Sequence, residues 1–170
     1  FATSFGRAIL AWLPTLAQGI LVVPILAAVL VPSLQQATEL TNRTVCMSNL
    51  SSIGKAMVLY KAVYDNRYPP DLDALIAEGH PATLLRCPSA DPLQRPAGRK
   101  YDYFYLPPRS DNYPDQIIVC DFWENHRGRH RNVLYVGMNV AKMTEADFQA
   151  ELERPVNADF AKALGEVEGP

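Results

Sequence analysis

The sequence lacks charge over a long N-terminal stretch: 31 consecutive positions between Arg7 and Glu39 carry no charged side chain. About 20 apolar residues are enough to cross a bilayer as a helix, so this run is long enough. A signal peptide has a shorter apolar core of about 7–15 residues and a small-residue cleavage site, and nothing after Leu34 resembles one. We therefore expect residues 1–36 to form a helix buried in lipid or among other helices, followed by a head at 37–170. Arg7 is the only charge before the run, which favours a cytoplasmic N-terminus.

Cysteine residues are also scarce, and common catalytic motifs are missing from the sequence. Three cysteines are too few for a disulfide scaffold, and an odd number leaves at least one unpaired within a monomer. The chain contains no His-Glu-x-x-His, no phosphate-binding glycine loop and no Gly-x-Ser-x-Gly. A net charge of −2 is unlike the basic balance of a general nucleic-acid binder. We expect no catalysis, no cofactor and no nucleic-acid partner.

Proline outnumbers glycine by fourteen to nine, and three of the prolines lie inside the apolar run. These are Pro14, Pro24 and Pro32. Each lacks a backbone N–H and clashes with the carbonyl four residues earlier, at a cost of about 3 kcal/mol in a helix interior. We expect a long N-terminal helix that is kinked or interrupted near Pro24 or Pro32.

The remaining pattern predicts an α+β head. A helical stripe of apolar side chains continues beyond Gln35 and faces the head; it comprises Cys46, Leu50, Ile53, Met57, Tyr60 and Tyr64. Strand-like alternation follows in three runs, with a fourth candidate in "MNVAKM"; the three runs are 101–106, 116–122 and 131–137. Short helices are predicted at 71–78, at 144–153 with Thr144 as its cap, and at 157–164 before Gly165. The fold expected is a small antiparallel sheet packed on the long helix, with short C-terminal helices.

Several segments together resemble a known family. The stretch "CMSNLSSIGKAMVLYKAVYDNRYPPDLDAL" is similar to the segment after the N-terminal helix of type IV pilin-like proteins and type II secretion pseudopilins. "ILAAVLVPSLQQA" resembles the Leu-Pro-Ala-Leu element of the prepilin-type group found in planctomycete-like bacteria. "LLRCPSA" resembles the Cys-Pro element of the same group. "HRGRHRNVLYVG" resembles its element in which nine residues separate a histidine from an Asp-Gly pair. The likeness covers roughly residues 19–142.

The resemblance implies a secreted, non-enzymatic subunit of a pilus-like filament (a fimbrium-like homopolymer) on a bacterial surface. Prepilin peptidase would cut before Phe1, with methylation of the new N-terminus, and the chain would stay in the inner membrane until the assembly machinery polymerises it. Phe1, Pro14, Pro24 and Pro32 are the expected assembly residues, since a proline lets the helix melt locally as the subunit leaves the membrane. Two alternatives stay open: a pseudopilin that forms a short periplasmic piston, and a single-pass anchored protein whose head binds a ligand.

Two positions depart from the family pattern. The family has Glu at the fifth position, where it pairs with a neighbour's N-terminal amine, and this chain has Phe5. The expected Asp-Gly is Val136-Gly137, and because valine offers no carboxylate we expect no calcium site there.

The cysteines and histidines leave several interpretations open. His126 and His130 have the spacing of a zinc-finger pair and Cys120 is near, but no Cys-x-x-Cys accompanies them, so we expect an ordinary loop rather than a metal site. An exported protein, as the family implies, permits disulfides. Cys87–Cys120 is the first choice, Cys46–Cys87 is its rival, and no bond is the third possibility.

Charge is concentrated in two C-terminal segments. The basic loop carries Arg127, Arg129 and Arg131, and the acidic tail includes Glu145, Asp147 and Glu151. Arginine grips carboxylates with its planar fork, so the loop of one subunit could meet the tail of its neighbour and set the register of a polymer. The alternatives are two solvated surfaces, or a weak DNA-binding patch.

Overall fold

A computed structural model of the chain describes residues 2–91, 93, 95–96, 98–126, 128 and 130–169, and for residues 2–27 and 29 it describes the backbone helix alone. The chain separates into two units, Phe1–Leu40 and Thr41–Pro170. Phe1, Arg127 and Arg129 lie outside the described residues, as do the side chains of Pro14 and Pro24.

The first element is one long helix, α1, which spans Ala2–Val63. The predicted stripe on its second half is confirmed, because the side chains of Cys46, Leu50, Ile53 and Met57 are completely buried. Tyr60 packs at the edge of the same apolar cluster. Tyr64, which lies one residue beyond the end of α1, is 39% exposed and stacks on Tyr60 with ring centroids 4.2 Å apart.

The predicted interruption of this helix at Pro24 or Pro32 is wrong, since α1 continues through both positions. A proline loses its own N–H bond and clashes with the carbonyl four residues earlier, and both effects are local. In a helix of 62 residues the turns on either side keep their bonds, and no new nucleation is needed to continue. The local cost of a proline is thus offset by the length of helix around it.

Among the described residues, no helix combines the length and the apolar character needed to cross a membrane. Most of the uncharged run from position 8 to position 38 belongs to the part of α1 whose side chains are not described.

The head contains a four-stranded antiparallel sheet in the order β1-β2-β3-β4. The strands are β1 Tyr103–Tyr105, β2 Ile117–Asp121, β3 Arg131–Tyr135 and β4 Val140–Met143. All three predicted strands and the fourth candidate are thereby confirmed. Each strand pairs with its neighbour in sequence, with Phe104 opposite Cys120 and Cys120 opposite Val133.

The two faces of the sheet bury two separate apolar clusters. On one face Ile118, Val119 and Leu134 join the buried stripe of α1. On the other face Cys120 and Val133 pack with residues of the C-terminal helices. The pairing of β2 with β3 shifts register between Ile117 and Val119. Such an irregularity places two consecutive residues on one face, which accounts for Ile118 and Val119 sharing a cluster.

Three short helices complete the head: α2 Leu72–Ala77, α3 Glu145–Leu152 and α4 Ala158–Glu168. The predicted cap of α3 is confirmed, because Thr144 and Asp147 form a reciprocal capping box. The predicted stop at Gly165 is wrong, since α4 continues to Glu168. A glycine inside a helix costs only about 1 kcal/mol, and the buried Phe160 and Leu164 hold α4 on the sheet.

Candidate functional sites

The first candidate site comprises exposed apolar side chains on the described part of α1, taken separately in each of the two units. In the unit that ends at Leu40, large apolar side chains are exposed on the described part of the helix; these are Leu30, Val31, Leu34 and Leu40. Leu34 and Leu40 are 65% and 63% exposed. In the head unit, Val45, Val58, Leu59 and Val63 are also exposed. Several large apolar side chains exposed close together in the sequence of one helix make this element a candidate for binding another molecule or a membrane.

Among the residues predicted to join neighbouring subunits, the four described ones have partners within their own chain, and the contact between subunits stays a prediction; the four are Arg131, Glu145, Asp147 and Glu151. Arg131 is 2% exposed, because it lies in β3 beneath α3 and α4 rather than in a loop. Its Nε donates to Glu145 Oε2 at 2.8 Å, and its Nη1 and Nη2 donate to Glu168 at 2.7 and 2.9 Å. The guanidinium also covers the ring of Phe148 at 4.5 Å. Burial lowers the pKa of Arg131, but the bonds to Glu168 and Glu145 outweigh burial and raise it.

Asp147 and Glu151 also have partners in their own chain. Asp147 accepts from the Thr144 hydroxyl at 2.7 Å in the capping box. Glu151 accepts from Arg154 Nη1 at 2.8 Å. Arg131, which is buried, cannot reach a neighbouring subunit without losing a bond that the head already makes.

The second candidate site is a buried cluster of sulfur and imidazole side chains. Cys46 of α1, Cys87 of the following loop and His126 are each at most 3% exposed. One ligand atom of each lies within 4.8 Å of the other two. The separation of Cys87 Sγ and His126 Nε2 is 3.7 Å. The hydrogen bond with Cys46 and then burial raise the pKa of the Cys87 thiol, which keeps it protonated.

The three cysteines are all free. The pairing predicted first, Cys87–Cys120, is not formed: Cys87 lies in the apolar cluster shared with α1, and Cys120 lies in the cluster on the opposite face of the sheet. Cys120 is likewise absent from the described group of possible metal ligands around His126. His126 and His130, which were expected in an ordinary exposed loop, are 1% and 6% exposed, and the sulfurs grouped with His126 are those of Cys46 and Cys87.

Polar neighbours hold His126 in a defined orientation. Its Nε2 lies 3.0 Å from Asp121 Oδ2 and 3.2 Å from Asn132 Nδ2. Asn132 in turn donates to Asp121 from its backbone N at 2.9 Å and from Nδ2 at 2.7 Å. Burial lowers the pKa of His126, but the bonds to Asp121 and Cys87 outweigh burial and raise it to about 10.

The ring of His130 stacks on His126 with centroids 4.8 Å apart. Its Nε2 is buried and has no hydrogen-bond partner among the described residues. Burial is the main cause that lowers the pKa of His130, which favours the neutral imidazole. The pair of histidines predicted from spacing is thus brought together, with one ring tied to Asp121 and the other held neutral.

Asp102 connects the loop of Cys87 to the turn of His126. Its carboxylate accepts from the backbone N of Cys87 at 3.0 Å and pairs with Arg95 at 2.6 Å. Its carbonyl accepts from Asn125 Nδ2 at 2.7 Å, next to His126 in the 3₁₀ turn Trp123–His126. Asp102 is 3% exposed, so both links are shielded from water.

Comparisons with protein-family models, with curated proteins and with solved structures find no match.

Proposed function

We propose that this chain is a structural subunit of a pilus-like filament that polymerises through its N-terminal helix. One observation carries the proposal. The run of 31 uncharged positions belongs to α1, and the same helix also supplies the buried stripe of the head. A subunit built this way can hold its head by one half of the helix and offer the other half to neighbours.

The exposed side chains of α1 support this proposal. Leu30, Leu34 and Leu40 are each more than half exposed. Burying one such leucine is worth about 1.5–3 kcal/mol, so several per subunit supply a strong drive to associate. In lipid the same side chains need no protein partner, which makes a membrane-held precursor and a polymer compatible with one sequence.

The test introduces a charge into this surface. We expect Leu34→Glu to abolish recovery of fibres from sheared cells, because a carboxylate cannot be buried among helices without a partner. Leu93→Glu is the matched control, since Leu93 is 94% exposed in a loop of the head. Negative-stain microscopy and mass spectrometry of the recovered polymer give the measurement.

Four outcomes would separate the candidate functions. Equal fibre yield from both variants, or a full-length chain that is freely soluble and monomeric, would overturn the proposal. Short stubs in the periplasm instead of surface fibres would favour the pseudopilin. A monomer that stays in the membrane fraction without forming any polymer would favour the anchored, ligand-binding protein.

A further inference from the structure

We propose that Cys46, Cys87 and His126 form a buried binding site for a thiolate-preferring transition-metal ion, with Zn²⁺ as the best-fitting ion. The residues come from three separate segments of the head: α1, the loop before β1 and the 3₁₀ turn after β2. Each contributes one donor atom, and all three atoms lie within 4.8 Å of one another. The proposal does not depend on the filament function.

The separation of the Cys87 and His126 donor atoms fits tetrahedral coordination. With Zn–S near 2.3 Å and Zn–N near 2.0–2.1 Å, a tetrahedral angle separates sulfur from nitrogen by roughly 3.5 Å. The separation of Cys87 Sγ and His126 Nε2 is 3.7 Å, so an ion can enter with little movement of either side chain. Two sulfurs and one imidazole are soft or intermediate donors, which select zinc and its neighbours over calcium or magnesium.

The surrounding bonds hold the donors in place. Asp102 fixes the backbone of Cys87 and, through Asn125, the turn that carries His126. Cys46 is fixed differently, by its place in the buried stripe of the 62-residue helix α1. Metal sites whose ligands are held by further hydrogen bonds bind more tightly, because less order has to be gained on binding.

Charge and protons balance at this site. Both thiols must lose their protons, since the thiolate is the ligand, and two thiolates neutralise one divalent ion. The ion takes the place of any proton on His126 Nε2. Asp121 Oδ2, which lies 3.0 Å from that nitrogen, would lose its bond to the nitrogen when the ion binds.

A Cys46–Cys87 disulfide is the competing use of the same sulfurs. It would need an external oxidant and would give the nearby imidazole no role. The metal site accounts for all three side chains, including the 3.7 Å approach of His126 to Cys87. Formation of this disulfide, without metal binding after its reduction, would count against the proposal.

The experiment titrates Co²⁺, and separately Zn²⁺, into the reduced full-length chain under anaerobic conditions. We expect about one equivalent of Co²⁺ to bind with the visible absorption of a tetrahedral ion and a near-ultraviolet band from thiolate ligation, which Zn²⁺ then abolishes. Cys46→Ser, Cys87→Ser and His126→Gln should each weaken binding more than about 100-fold, because partners of metal ligands alone change affinity about 10–100-fold. Cys120→Ala is the matched control: this cysteine is equally buried but belongs to the opposite cluster, so binding should be unchanged.

A second measurement uses the wild-type chain alone, so its result does not depend on whether the variants fold. In the wild-type chain, Co²⁺ should slow alkylation of Cys46 and Cys87, located by peptide mass mapping, and leave Cys120 unaffected. The proposal is overturned if the reduced wild-type chain shows no thiolate band, or if Cys120→Ala removes the band while the other cysteine variants keep it. It is also overturned if Cys46 and Cys87 form a disulfide that, once reduced, leaves no metal binding.

Discussion

The buried charge cluster around Arg131 gives the sharpest test of how the head is held together. Arg131 is 2% exposed; its Nη1 and Nη2 donate to Glu168, and its Nε and the same Nη2 donate to Glu145. Arg131→Met keeps most of the side-chain volume and removes the charge. Glu145 and Glu168, whose side chains are 25% and 18% exposed, are then left without a cation. Breaking a buried pair from one side costs about 3–5 kcal/mol, so we expect a loss of that size in unfolding free energy.

Arg154→Met is the matched control for this substitution. Arg154 also bonds two carboxylates, those of Asp115 and Glu151, but its side chain is 40% exposed. Solvent screens such pairs, so we expect a cost of only about 0–1 kcal/mol. The contrast between the two arginines therefore isolates burial as the cause.

Urea unfolding of the full-length chain, followed by tryptophan fluorescence, is the assay. Trp123 is a suitable reporter because its backbone N donates to Glu168 at 3.1 Å, and replacing Trp12 by phenylalanine removes the second signal. Arg131→Met combined with Glu168→Gln should recover part of the loss, since one uncompensated charge has gone. If the Arg131 and Arg154 variants lose the same stability, the assignment of Arg131 to a buried, stabilising cluster is wrong.

Two further predictions concern backbone geometry and acid stability. We expect Gly128→Ala to destabilise the head by about 1–3 kcal/mol, because φ is +65° and an added Cβ would collide with the indole of Trp123. Gly165→Ala should instead stabilise it by about 1 kcal/mol, since α4 has open space there, and thermal unfolding distinguishes the two signs. The bonds to Lys61 and then Tyr68 lower the pKa of Asp111 below its usual 3.8, so their stabilisation is present above that pH and is lost as pH falls through the lowered value. Asp111→Asn should therefore cost about 0–1 kcal/mol at pH 6, and this cost should shrink as the pH falls below 3.8; a wild-type advantage that grows in acid would contradict this.

The sheet and the α1 stripe were predictable because each is recorded in a local pattern. Alternation in "YDYFYL" places Tyr101, Tyr103 and Tyr105 on one face, and in the structure all three belong to the cluster shared with α1. The capping box of Thr144 and Asp147 was predictable for the same reason, since its two residues are only three positions apart in the sequence. A pattern with period 2 or 3.6 needs no knowledge of the tertiary fold.

The buried polar residues were not predictable, because their surroundings come from distant segments. Arg131 stands in a basic run and was interpreted as loop surface, whereas its partners Glu145 and Glu168 are 14 and 37 residues away. Cys87 and His126 are separated by 39 residues. Only the packing of the sheet between α1 and the C-terminal helices brings such residues together, and no spacing rule in the sequence records that packing.

The filament proposal and the metal-site proposal both involve Cys46, the residue at which the buried stripe of α1 begins. On its N-terminal side Val45 and Leu40 are exposed, and from Cys46 onward the stripe is buried every three or four residues. If α1 carries load in a polymer, the first side chains of the stripe receive that load before the rest of the head does. An ion held by Cys46, Cys87 and His126 would tie the helix to two loops at this position. Removing the metal should therefore increase hydrogen exchange first at residues 43–50 of α1 and only later in the sheet, because the sheet keeps its own ladder and both apolar clusters. Equal exchange in the metal-free and metal-loaded chains would show that the stripe alone fixes the helix.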